Sequence, residues 1–101
     1  MQSFYPERFE RDMGTSEAEW LAALPRAIGP VHRWAMDGPR AAQVQLGGGS
    51  LRIAWTPLPE RRIALLVMQR LGVSFEFQGL DAGQRLAFMK PFDLAMQRGG
   101  G

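Results

Sequence analysis

His32 is the only imidazole in this chain of 101 residues, and there is no cysteine. A His–His metal pair, a thiolate nucleophile and a cysteine-based zinc or iron–sulfur site are therefore excluded. A catalytic triad would have to use this one ring, which sits beside Trp34 in a weakly strand-like stretch. Ser3, Ser16, Ser50 and Ser74 lack the context of a nucleophile elbow. Glu7, Glu10 and Asp12 form a solvated charge run without metal-loop spacing. Gly47-Gly48-Gly49-Ser50 has the glycines of a phosphate cradle, but no Lys-Ser/Thr pair follows and a strand pattern replaces the helix. The expectation is a protein that is not an enzyme and holds no cofactor and no metal.

Binding chemistry has better candidates. Ile63-Ala-Leu-Leu-Val-Met68 is apolar at every position, so it reads as a central strand or a strand covered on both sides. If helices cover only one sheet face, the row holding Ala64, Leu66 and Met68, or its alternate, would be exposed, and such a row calls for a partner. Arg61 and Arg62 stand next to it and would orient a partner at the rim. A homo-oligomer or a protein partner meeting Leu66, Met68, Arg61 and Arg62 is the leading expectation. The alternative is nucleic-acid binding. Residues 26–70 hold seven arginines against two acids, and Arg33, Trp34 and Arg52 would form a basic, aromatic sheet patch. A small-ligand pocket under the helices is a third reading.

The chain ends in Gly99-Gly100-Gly101. A free carboxylate behind Gly100 and Gly101 is what ubiquitin-like carriers present for adenylation. In that family the glycines follow a strand, and a helix lies between two pairs of strands. Here a helix pattern precedes the glycines, so the likeness is limited to the last few residues. Gly99 has a simpler role as a residue ending a helix.

The elements that must position these residues are legible in outline. Residues 1–14 read as an extended lead-in holding Phe4, Tyr5 and Phe9. A helix is expected over 16–28, opened by Ser16 and Glu19 at capping-box spacing, stopped or kinked near Leu24 by Pro25 and ended by Gly29-Pro30. Residues 31–78 alternate with period two: Ala42, Val44 and Leu46; Leu51, Ile53 and Trp55; Val73, Phe75 and Phe77. Turns are expected at Asp37-Gly38-Pro39, Gly47 to Gly49, Pro57-Leu-Pro59 and Gly72. A kinked or split helix over 81–98 has Asp81 as its N-cap, Pro91 inside and residues 99–101 as a flexible tail. The fold class is α+β: one domain, an antiparallel meander of four or five strands between two helical regions.

Composition agrees with one packed domain. Hydrophobic residues make up 46% and charged residues 22%, too apolar for a disordered chain. No apolar run nears the roughly 20 residues a membrane-spanning helix needs, so no membrane is expected. The first 14 residues carry both charge signs and no secretion-type apolar stretch, which points to the cytoplasm.

Overall fold

The computed structural model describes residues 2–98. Strand β1 (Arg8–Met13) leads into helix α1 (Glu17–Ile28), followed by β2 (Trp34–Met36), β3 (Ala41–Leu46), β4 (Gly49–Ile63), β5 (Leu66–Gln78) and helix α2 (Ala82–Arg98). The strands form one antiparallel sheet in the order β1-β5-β4-β3-β2. This is the expected α+β arrangement, five strands with a helix near each end. The last four strands form the meander, and β1 returns to the far edge beside β5.

Both helices begin with reciprocal caps. The Glu19 N–H donates to Ser16 Oγ (3.1 Å), and the Ser16 N–H donates to the Glu19 carboxylate (3.3 Å). At α2 the Gln84 N–H donates to Asp81 Oδ1 (2.8 Å), and the Asp81 N–H donates to Gln84 Oε1 (2.9 Å). Each pair satisfies two N–H groups that a helix start leaves free. Neither proline ends its helix. α1 continues through Pro25 to Ile28, and α2 runs unsplit through Pro91. Both prolines are exposed, as are Leu21 and Ala87 four residues earlier, so water can solvate the carbonyls that lose their helical donors.

The helices lie side by side on one sheet face. Alternate residues of the strands point at them: Phe9 from β1, Val44 from β3, Leu51, Ile53 and Trp55 from β4, and Val73, Phe75 and Phe77 from β5. They pack against Trp20, Leu24 and Ile28 of α1 and Phe88, Met89 and Phe92 of α2. Phe92 meets Phe75 edge to face at 5.6 Å, and Trp20 meets Trp55 at 5.6 Å. The opposite sheet face is open and polar, carrying Arg8, Glu10, Asp12, Gln43, Arg52, Thr56, Ser74 and Glu76.

Several expectations need correction. The lead-in of residues 1–14 contains β1, an edge strand in full register with β5 from Arg8↔Glu76 to Met13↔Leu71. Ile63–Met68 is not a central strand. It is the tip of a long hairpin, with a two-residue turn at Ala64-Leu65 between Ile63 and Leu66. Pro57-Leu-Pro59 and Gly72 are not turns either; they lie inside β4 and β5, opposite one another near Thr56↔Gly72 and Pro57↔Leu71. Proline fits there because, among the described residues, β4 has no neighbouring strand on its outer side beyond Trp55, whose N–H donates to the Arg40 carbonyl just before β3 begins (3.0 Å). Gly72 leaves room for Leu58, which would lie 3.4 Å from a Cβ at this position.

Candidate functional site: a projecting apolar hairpin

Beyond Thr56 and Gly72 the sheet narrows to two strands. β3 ends its pairing with β4 at Ala54, and β1 ends its pairing with β5 at Leu71. The ribbon that continues is about 20 Å long at roughly 3.3 Å per residue. It helps make the molecule 47 Å long against widths of 29 and 22 Å. No helix covers it, and residues 59–69 are all exposed.

The tip is apolar. Leu65 is fully exposed at 101%, Leu66 at 59%, Ile63 at 56%, Val67 at 44% and Met68 at 39%. Register places Ile63 opposite Leu66 and Arg61 opposite Met68, so these four share one face, continuous with the open face of the sheet. Arg62 lies opposite Val67 on the other face. Of the four residues expected to meet a partner, Leu66, Met68 and Arg61 are brought together on one face, and Arg62 is turned away. Ile63 shares the face of Leu66 and Met68, Leu65 lies at the turn and Val67 stands beside Arg62 on the other face, so both rows of the run are exposed.

A β-bulge shapes the arm. Leu58 pairs with Arg70 and Arg61 with Met68, so Pro59 and Glu60 together face the single residue Gln69. Arg70 braces the base, donating to both Asp12 oxygens (2.5 and 3.1 Å to Oδ2, 3.1 Å to Oδ1) and to the Pro59 carbonyl (3.2 Å). The hydrogen bond from Arg70 holds the Asp12 carboxyl below its ordinary pKa. At the turn Ala64 has φ 54°, a left-handed conformation that disfavours a Cβ.

The basic, aromatic patch is not assembled. Trp34 pairs with Val44 and packs toward the core, whereas Arg52 projects from the open face and is ion-paired with Asp37. Arg33 precedes β2 and is exposed. On the open face Arg8 lies 3.6 Å from Glu76, and Glu10 and Asp12 add further negative charge. The arginine excess is thus mixed with acids where a nucleic-acid backbone would need continuous positive charge.

A cleft of about 500 Å³ lies between β1 and the end of α2, lined in part by Arg11, Met13, Asp93 and Met96. Its charged groups are already joined to one another. Arg11 donates to both Asp93 oxygens (2.6 and 3.0 Å), and the Tyr5 hydroxyl donates to Asp93 Oδ2 (2.5 Å). The Arg11 guanidinium also lies 5.3 Å from the ring centres of Phe9 and Phe75. Burial, then the bond to Asp93, raises the Tyr5 pKa above its usual 10.0. Burial acts to lower the Arg11 pKa, but the Asp93 carboxylate outweighs it and the net shift is upward. Buried Arg85 donates to the Tyr5 carbonyl and to the Leu80 carbonyl, both at 2.8 Å. These two arginines tie the N-terminal segment to α2, which is a structural task.

His32 is similarly occupied, with Nδ1 2.7 Å from the Ile28 carbonyl and its ring edge-on to Phe88 at 5.4 Å. Among the described residues no three His, Asp or Glu side chains gather as a metal site, and no helix is long and apolar enough to cross a membrane. Gly99, Gly100 and Gly101 lie outside the described residues; α2, which precedes them, is helical to Arg98. In comparisons with known proteins, no family model, no curated protein and no solved structure matches the chain.

Proposed function

We propose that the protein is a non-catalytic binding domain that associates with protein surfaces, its own copies first, through the apolar hairpin arm. The observation that carries this reading is the exposure of Ile63, Leu65, Leu66, Val67 and Met68 on a ribbon that none of the other described residues covers. Soluble domains seldom leave a contiguous apolar patch without an occupant. Arg61, Arg62 and Glu60 would form the polar rim, with Arg62 and Glu60 3.6 Å apart. A cytoplasmic setting belongs to this proposal, since the chain has no cysteine with which to build a disulfide framework.

Sedimentation equilibrium at several protein concentrations, in low and high salt, tests the reading. A reversible, concentration-dependent dimer that salt barely alters is expected, because apolar contacts are not screened. A monomer at every concentration would remove self-association.

A further inference from the structure

The arm has two unpaired edges, and they are unlike. The outer edge of β4 carries Pro57 and Pro59, a bulge, and the charged residues Glu60, Arg61 and Arg62. Prolines, bulges and charges are the devices that stop a strand edge from recruiting another strand. The outer edge of β5 has none of them from Leu66 to Gln69, and β1 covers β5 only from Leu71 onward. A free edge of five residues, Leu66 to Arg70, is left open. Its direction follows from the hydrogen bonding. The Phe77 N–H donates to the Glu7 carbonyl on the β1 side (2.8 Å), and alternate residues of a strand turn their backbone groups the same way. The extra residue of the bulge is on β4, so β5 keeps its alternation, and Val67 and Gln69 direct N–H and C=O to a side where no strand lies.

Resting on the reading of the arm as an association surface, we infer that this edge pairs antiparallel with the same edge of a second copy, about a twofold axis at Met68. Val67 then faces Gln69 of the second copy, and each such pair exchanges two backbone hydrogen bonds. The two Met68 residues form the central non-hydrogen-bonded pair. The arms merge into a four-stranded ribbon, β4-β5-β5-β4. Its length fits, because the turn of each arm reaches the place where β1 leaves the edge of the other, at Met13-Gly14. Its charges fit as well. Arg61 lies on an outer strand, so the two copies of it stand three strand spacings apart, about 14 Å, beyond the Debye length of about 8 Å. Pairing through the β4 edges would set arginines against arginines at about 5 Å and put prolines where donors are needed.

The absence of native cysteine makes the test clean. Met68→Cys and, separately, Ile63→Cys are oxidised at a concentration where the unmodified protein sediments as a dimer. Non-hydrogen-bonded partners have Cα atoms about 4.5 Å apart, within disulfide reach. Met68→Cys should give a nearly complete covalent dimer, and Ile63→Cys, on the outer strand, little or none. If the protein dimerises but Met68→Cys fails to cross-link, or Ile63→Cys cross-links equally, β5-edge pairing is overturned while association through the arm survives. If the unmodified protein stays monomeric, or its arm engages only a different protein, the twofold pairing is overturned as well.

Discussion

Leu66→Ser separates association from folding. Leu66 is 59% exposed and faces Ile63 across the hairpin, at the far end from the core. Full burial of a leucine side chain contributes roughly 2–3 kcal/mol, so covering the exposed three-fifths contributes about 1.5 kcal/mol. A twofold interface contains the residue twice, and the double loss is about 3 kcal/mol, or roughly 100-fold in Kd. The dimer itself should be weak. The five tip residues expose the equivalent of about three whole aliphatic side chains per copy, a gross gain of roughly 9–18 kcal/mol per dimer. Set against an association cost of roughly 4–15 kcal/mol, the middle of the two ranges leaves about 4 kcal/mol even with full cover, a Kd in about the millimolar range. The folded monomer should hardly notice the change, since exposed substitutions of this kind stay within about 0.5 kcal/mol. Sedimentation equilibrium reads the Kd, and thermal melts at high dilution read monomer stability. Val31→Ser is the control, because Val31 is apolar and 86% exposed but lies in the α1–β2 connection. The reasoning fails if Leu66→Ser shifts Kd less than about threefold, or if Val31→Ser weakens the dimer as much.

Three further predictions concern the fold that carries the arm and the turn at its tip. Asp93→Asn should destabilise the domain by about 2–3 kcal/mol in urea melts, less than a fully buried ion pair would lose, because Arg11 and Asp93 keep 22% and 13% of their side-chain surface; a change below about 0.5 kcal/mol would show the clamp to be dispensable. Tyr5 is the only tyrosine, so phenolate absorbance reports it alone, and its midpoint should lie above 10.0 and fall in Asp93→Asn. The fold favours the neutral phenol, so this contribution to stability is complete below pH 10 and is lost as pH rises through the raised pKa; a midpoint at or below 10.0 would contradict it. Ala64→Gly should raise the melting temperature slightly, by the equivalent of about 0.5 kcal/mol, since relief of the left-handed strain exceeds the added freedom of the unfolded chain; a lower melting temperature would place the strain elsewhere.

The parts of the fold that were legible in the sequence rest on local rules. Ser16 with Glu19 announces α1, and the alternation of Leu51, Ile53 and Trp55 announces the inner half of β4. β1 escaped because one of its inward positions is Arg11, which breaks the apolar alternation of Phe9 and Met13. That arginine is tolerated only through Asp93 and the rings of Phe9 and Phe75, and the Asp93 pairing spans 82 residues, which no local pattern records. The arm escaped for a different reason. An unbroken apolar run normally means burial on both faces, and its turn uses Ala64-Leu65 where a glycine or asparagine would have marked it. Reading the run as a strand with one face uncovered points to Leu66, Met68, Arg61 and Arg62 as exposed, and they are exposed for a different reason, because the run is the tip of a hairpin that no helix reaches.

The arm also poses a stability question that an occupant would resolve. A two-stranded ribbon without a hydrophobic cover is marginal in water, and this one carries the added handicaps of Pro57, Pro59, a bulge and a left-handed alanine. Polar residues would cost less on such a ribbon if it were a mere spacer. Instead the apolar residues gather at the tip, where they help the isolated monomer least: Leu65 touches little but solvent. The edge that could accept a strand is free of proline, while the edge that would align arginines is blocked. Placing stickiness at the tip and protection along one edge only makes little sense for a chain that stays alone. It is consistent with a ribbon completed by two more strands, which would supply the missing hydrogen bonds and widen it to four strands.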